Sequence, residues 1–200
     1  MVSSKNFSQK EQMKPYLDAN IWIAYIWFHH CGGGVGKKRP PVTLVDELNE
    51  REILSPVTQF IIAEVSKHFS EWELFQKAIK DGFSFWQWKD VRKKYALDEK
   101  DKQKVEEVIV FLNGLDSANF VPNIKLSQES VELINALVLE DPFEFPDAVH
   151  VAMAVELNCD YFVTNDELLR ELIAEKAPIP GISYPKVVRP TEFLNTYLKP

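Results

Sequence analysis

The sequence predicts one α/β domain: a central parallel sheet covered by helices on both faces, a three-layer α/β/α sandwich. Two observations carry this. Short apolar runs alternate with segments of helical period along most of the chain, and strands alternating with helices pair in parallel through crossovers that cover both faces of the sheet. No internal repeat and no second hydrophobic core divides the 200 residues, which is one domain by length. With 46% hydrophobic residues, there is enough apolar matter for a real core.

Residues 1–13 are expected to be a flexible, polar N-terminal tail; without an apolar stretch they exclude an ordinary signal peptide. The domain then runs over 14–200. KPYLDAN (14–20) is a short apolar entry ending in Asp18, and IWIAYIWF (21–28) continues as a buried helix. That run is far short of the ~20 apolar residues a membrane-spanning helix needs. Glycines and prolines in HHCGGGVGKKRPP (29–41) predict a loop, within a longer loop at 29–52. REILSPV (51–57) reads as a second strand feeding the helix TQFIIAEVSKHF (58–69). A charged, largely helical insertion follows at about 70–115, with an aromatic knot, FSFWQW (83–88), and a basic island, KDVRKK (89–94). That island is either a solvated helix face or a contact for nucleic acid, and the tryptophans either stack bases or seal a contact between subdomains or subunits.

ANFVPNIKL (118–126) is extended, and Ser127 caps the helix after it without the third-position Glu of a full capping box. Pro146 suits the first turn of the next helix, which is apolar nearly all round and therefore buried on most sides. The strand DYFV (160–163), the helix DELLRELIAEK (166–176), the strand YPKVV (184–188) and a terminal helix, PTEFLNTYL (190–198), complete the pattern.

The net charge of −7 argues against broad, nonspecific affinity for nucleic acid, unless several of the acids are gathered around divalent cations. Two cysteines, Cys31 and Cys159, are too few for a disulfide scaffold and favour a reducing, cytoplasmic compartment with no membrane role.

Ligands of open parallel sheets sit beyond the carboxyl ends of the strands. Asp18 closes the first strand, and Asp166 follows DYFV in the triplet Thr164–Asn165–Asp166. Glu64 is a charge set in the apolar helix FIIAEV, and Asp147 lies in the first turn of the buried helix. Each has a structural explanation: Asp18 and Asp166 as helix caps, Asp147 as a complement to a helix N-terminus, Glu64 on a wet edge beside His68. Converging, the four would repel one another and raise their own pKa values unless a divalent cation neutralised them. Mg²⁺ and Mn²⁺ favour such hard oxygen ligands, and that chemistry suits phosphodiester hydrolysis.

PYLDAN, VTQFIIAEV and FPDAVHVAMAVELNCDYFVTND, in that order, resemble the successive signatures of PIN-domain ribonucleases, the family that includes VapC-type toxins. The resemblance covers roughly residues 14–30, 53–69 and 120–198. It implies a Rossmann-like sandwich and Mg²⁺- or Mn²⁺-dependent endonucleolytic cleavage of RNA by a metal-activated water, leaving a 5′-phosphate and a 3′-hydroxyl. The acidic quartet it implies is Asp18, Glu64, Asp147 and Asp166, both catalytic and metal-ligating, with Asn20, Thr58 and Thr164 in support. It also implies an RNA substrate, a small antitoxin-type protein inhibitor and a homodimer. The alternative is a PIN-fold module that binds RNA or protein without cutting.

Other motifs fail on their chemistry. GGGVGKK lacks both the first glycine and the Ser/Thr of a phosphate-binding loop. Asp18 is followed by Asn20 where a phosphatase forming an aspartyl-phosphate needs a second Asp. His29, His30 and Cys31 are adjacent, and adjacent residues rarely converge on one zinc. His150 lies one turn from Asp147 on the same helical face, as a hydrogen-bonding neighbour of the site or a satisfied core histidine.

Overall fold

A computed structural model describes residues 13–32, 37–122, 124–139, 143–175 and 182–199; the predicted tail, apart from Met13, and the glycines at 33–36 lie outside these. In chain order the elements are β1 (Pro15–Leu17), α1 (Ala19–His29), α2 (Pro40–Glu50), β2 (Ser55–Thr58), α3 (Gln59–Lys80), α4 (Trp88–Val91), α5 (Glu99–Asn113), β3 (Ala118–Val121), α6 (Gln128–Leu139), α7 (Phe145–Glu156), β4 (Tyr161–Val163), α8 (Glu167–Glu175), β5 (Lys186–Val188) and α9 (Pro190–Phe193), which runs on into a π-helical turn. Among the described residues, no helix is long and apolar enough to cross a membrane.

The expected α/β/α sandwich with a parallel sheet is what forms, and every ladder in it is parallel. The backbone ladders fall into two groups, β1-β4-β5 and β2-β3. The sequence explains the seam. Tyr16 and Asp18 face β4, so by strand alternation Pro15 and Leu17 face β2; likewise Pro56 and Thr58 face β1. Pro15 and Pro56 have no N–H to give. Across the seam the Leu17 N–H donates instead to Ser55 Oγ, at 3.3 Å.

The segment 29–52 differs from the loop expected there, because α2 occupies residues 40–50. Pro40 and Pro41 punctuate the sequence, yet they stand in the first turn of a helix, where a missing N–H costs nothing. α2 buries Val42, Leu44, Val45 and Leu48 against the core. The second strand begins later than expected, at Ser55, and includes Thr58.

α1 is apolar on nearly every side and buries Ile21, Trp22, Tyr25 and Ile26. α3 continues unbroken past residue 70 to Lys80, so the insertion is partly an extension of an existing helix. It ends at Gly82, whose φ of 88° is open to glycine. The N–H groups of Gly82 and Phe83 return to the carbonyls of Ile79 and Ala78, a Schellman closure.

The capping box missing at Ser127 is completed from another helix. Glu156 Oε2 of α7 accepts from the Ser127 N–H (3.0 Å), the Ser127 hydroxyl (2.7 Å) and the Ser130 hydroxyl (2.5 Å), tying α6 to α7.

Candidate active site

The site lies where β1 and β4 end. The Asp18 N–H donates to the Val163 carbonyl, and the Thr164 N–H to the Val188 carbonyl, so the ladder carries both residues to one edge. Asp18 is buried, at 7% exposure, and its carboxylate makes no capping bond to α1, so the cap explanation for it falls. The Thr164 hydroxyl donates to Asp18 Oδ2 at 2.6 Å, and the Asn20 amide donates to the same oxygen at 2.5 Å. Thr164 Oγ1 in turn accepts from the Asp166 N–H at 2.9 Å. One Asp18 oxygen is thus saturated, while the other faces His150 Nε2 at 3.9 Å. Burial raises the Asp18 carboxyl above the ordinary carboxylate range; the nearby His150 and Thr164 oppose this, and Glu64 adds to it.

Glu64 enters from α3. Thr58 Oγ1 accepts from the Ile61 N–H at 3.2 Å, which fixes the first turn of that helix and hence the direction in which Glu64 projects. Glu64 does not sit on a wet edge beside His68: its Oε2 lies 2.5 Å from His150 Nε2, while His68 pairs with the Trp27 indole N–H. His150 is 1% exposed, and its Nδ1 lies 2.9 Å from the Tyr16 hydroxyl. Burial holds the Tyr16 phenol far above its usual range, so it remains a hydroxyl. If Tyr16 donates to Nδ1, the ring is left to donate from Nε2 to Glu64. The histidine is both buried and part of the site, so neither of the two expectations for it excluded the other.

Ligand atoms of Asp18, Glu64 and His150 all lie within 4.8 Å of one another. Asp147 and Asp166 are not in that tight cluster, but they are coupled to it. The Asp147 carboxyl is pushed up to about 6 by burial first, then by the charge of Asp18, then by that of Asp166. Glu64, Asp18, Asp147 and Asp166 therefore form a chain of like charges at one end of the sheet. Asp166 caps α8 as expected, with Oδ1 accepting from the Leu169 N–H at 2.9 Å. Supporting roles divide unevenly: Asn20 and Thr164 touch Asp18 directly, whereas Thr58 acts on α3 and on the Tyr16 phenol.

The donor set fits a hard divalent cation. It offers carboxylate oxygens of Asp18, buried and held by Asn20 and Thr164, and of Glu64 within 4.8 Å, with the His150 nitrogen beside them, and hard oxygens suit Mg²⁺ or Mn²⁺. A separate pocket of about 460 Å³, lined by Trp27, Trp72, Glu73 and Lys104, includes none of the four acids.

No family model matches the sequence, and no curated protein matches it. Among solved structures, the fold is similar to a chain in the crystal structure of VapBC2 from Rickettsia felis bound to a DNA fragment from their promoter. The likeness spans 88% of this chain and 98% of that one, with a TM-score of 0.50 and 11% sequence identity. At that identity the match speaks for the fold, which is PIN-like.

Proposed function

We propose that this chain is a divalent-metal-dependent endoribonuclease that hydrolyses RNA phosphodiester bonds. The observation that carries the reading is the convergence of Asp18 and Glu64, with His150, within 4.8 Å of one another at the strand ends, to which Asp147, raised by burial first and then by the charges of Asp18 and Asp166, is coupled. Carboxylates gathered in a partly buried site raise one another's pKa values, a cost that a bound divalent cation would offset. The fold similarity to VapBC2, whose structure holds both components on promoter DNA, supports the toxin of a toxin–antitoxin pair, with a small protein inhibitor as partner.

Asp18, with Asp147 and Asp166, would hold Mg²⁺ or Mn²⁺. The bound ion would supply an activated water and charge neutralisation at phosphorus. The rest falls to side chains. Asn20 and Thr164 lock one oxygen of Asp18, leaving the other aimed at the notch. His150, held by Tyr16, orients Glu64, which would accept a proton from the nucleophile. Asp166 stays on the rim, anchored by its helix cap.

The test is incubation of labelled single-stranded RNA and DNA with the protein in Mn²⁺ or EDTA, with Asp18→Asn alongside. RNA should be cut only with the ion, leaving a 5′-phosphate, and Asp18→Asn should lose at least about 100-fold in rate. Cutting that persists in EDTA or in Asp18→Asn sinks the assignment. RNA binding without any cutting would instead make the chain a silent PIN-fold module.

A further inference from the structure

The end of the insertion holds a second surface with its own chemistry. After the Schellman turn at Gly82, residues 83–95 fold back along α3 and are fastened to it at several points. Arg92 pairs with Glu71, and the Tyr95 hydroxyl donates to Asp81 at 2.9 Å. Lys77 holds the Ala96 carbonyl at 3.0 Å and Asp98 at 2.9 Å. Ser84 and Gln87 close a capping box across the short 3₁₀ turn between them. This frame sorts the aromatic residues. Trp88 turns inward over Phe75, with ring centroids 5.6 Å apart, and packs beside Tyr95.

Phe85 and Trp86 turn outward, at 66% and 86% exposure. The same bracing half-buries Trp88 and leaves Trp86, an identical ring two residues earlier, in water. Around it, residues 80–95 carry five cations against two acids, in a chain whose net charge is −7. Arg92 is committed to Glu71, and Lys94 Nζ sits 5.7 Å over the Phe83 ring. Lys89 and Lys93 are exposed beside them, with Asp90 as the nearest opposing acid in sequence.

We infer that this tip is a second binding surface for single-stranded nucleic acid, with Trp86 and Phe85 as stacking platforms and Lys89, Lys93 and Lys94 as phosphate contacts. An exposed aromatic plane among excess cations complements a strand that offers π-faces and negative charge together. A second copy of the chain fits less well, because a two-fold contact would set the same lysines against each other. The inference takes its choice of RNA from the nuclease reading, but binding at the tip needs no metal. Glu64 and Lys80 are sixteen residues apart on α3, about 24 Å at 1.5 Å per residue. A strand must therefore be long to reach the tip and the acids together, while a short one occupies either alone.

The test uses the full chain in EDTA, with anisotropy of fluorescein-labelled (U)12, (U)3 and (dT)12 across a salt series. Trp86→Ala should weaken (U)12 binding about tenfold, and the Lys93→Ala/Lys94→Ala pair should flatten the salt slope by about one phosphate contact or more. Unchanged melting would show that the exposed substitution leaves the fold intact. In Mn²⁺, Trp86→Ala should raise KM for (U)12 without changing kcat and leave (U)3 cleavage alone. Wild-type affinity in Trp86→Ala overturns the inference. So does a tip that mediates self-association or capture by anionic vesicles, with (U)12 binding unaffected. If nothing is cut in Mn²⁺ yet binding in EDTA depends on Trp86, the nuclease reading fails and the tip stands.

Discussion

Asp147→Asn should stabilise the cation-free protein at neutral pH, and its size can be worked from the site. Burial and the charges of Asp18 and Asp166 raise this carboxyl from an ordinary 3.8 to about 6. A carboxyl whose folded pKa is raised stabilises the native state only while protonated. Its contribution is complete below about 4 and is lost as pH rises through about 6. At roughly 1.4 kcal/mol per pKa unit, a fully enclosed group would cost about 3 kcal/mol at pH 8. Asp147 is half-buried, and solvent screening brings the expected cost to about 1 kcal/mol. In EDTA at pH 8, Asp147→Asn should therefore melt about 2–4 °C above wild type, as expected for a domain of this size. At pH 4 the two should coincide, because wild type is then protonated at that position. Saturating Mn²⁺ should raise the wild-type melting temperature and reverse the order of the two proteins. The assay is thermal melting by circular dichroism over pH 4–8. A variant no more stable than wild type at pH 8, or one equally stabilised at both ends, would refute the coupling.

Tyr16→Phe removes the hydroxyl that meets His150 Nδ1 at 2.9 Å while keeping the ring stacked on Phe162. It should slow RNA cleavage about tenfold and shift the pH–rate profile, because the tautomer presented to Glu64 is no longer fixed; an unchanged profile would leave Tyr16 as packing only. Glu156→Ala strips three acceptor contacts from the start of α6 and leaves the buried Ser130 hydroxyl with only the longer Ser127 contact at 3.2 Å. It should cost about 2 kcal/mol in urea unfolding, with cleavage little changed per folded molecule. That stabilisation belongs to a carboxyl held below its usual range, so it is present at neutral pH and fades on acidification.

The positions of the four acids in the fold are legible in the sequence because each stands where chain geometry is already constrained: at a strand end, in a first turn, or within an apolar helix. Asp18 illustrates this, since the last rung of the β1–β4 ladder places it with little freedom. His150 carried a weaker signal. On a helix buried nearly all round, periodicity cannot say which buried side chain points at chemistry; its place one turn after Asp147 was the usable clue. Thr58 was assigned to the right neighbourhood, but its main bond is a helix cap, a distinction that a six-residue spacing to Glu64 cannot make. α2 was misread because the prolines that signal a break also open helices, and nothing local separates the two uses. The seam between β1 and β2 follows from Pro15 and Pro56 only once the register shows that they face each other's strands.

These details bear on how the site is held open. A continuous five-stranded ladder would fix β1 from both sides by backbone bonds alone. Here β1 is bonded along β4 and meets β2 through Ser55, so side chains at the β1–β4 edge take over the positioning. Asn20 and Thr164 clamp Asp18 from the elements that follow the two strands, and Tyr16 reaches through His150 to Glu64 on α3. Asp18, Glu64 and Asp166 are thus each tied to a group that fixes their direction: Asn20 and Thr164, His150, and the Leu169 N–H. Full neutralisation by protein groups would have made a stable core and a poor cation site. Burial does most to raise Asp147, and the share added by the charges of Asp18 and Asp166 is what a bound divalent ion would relieve.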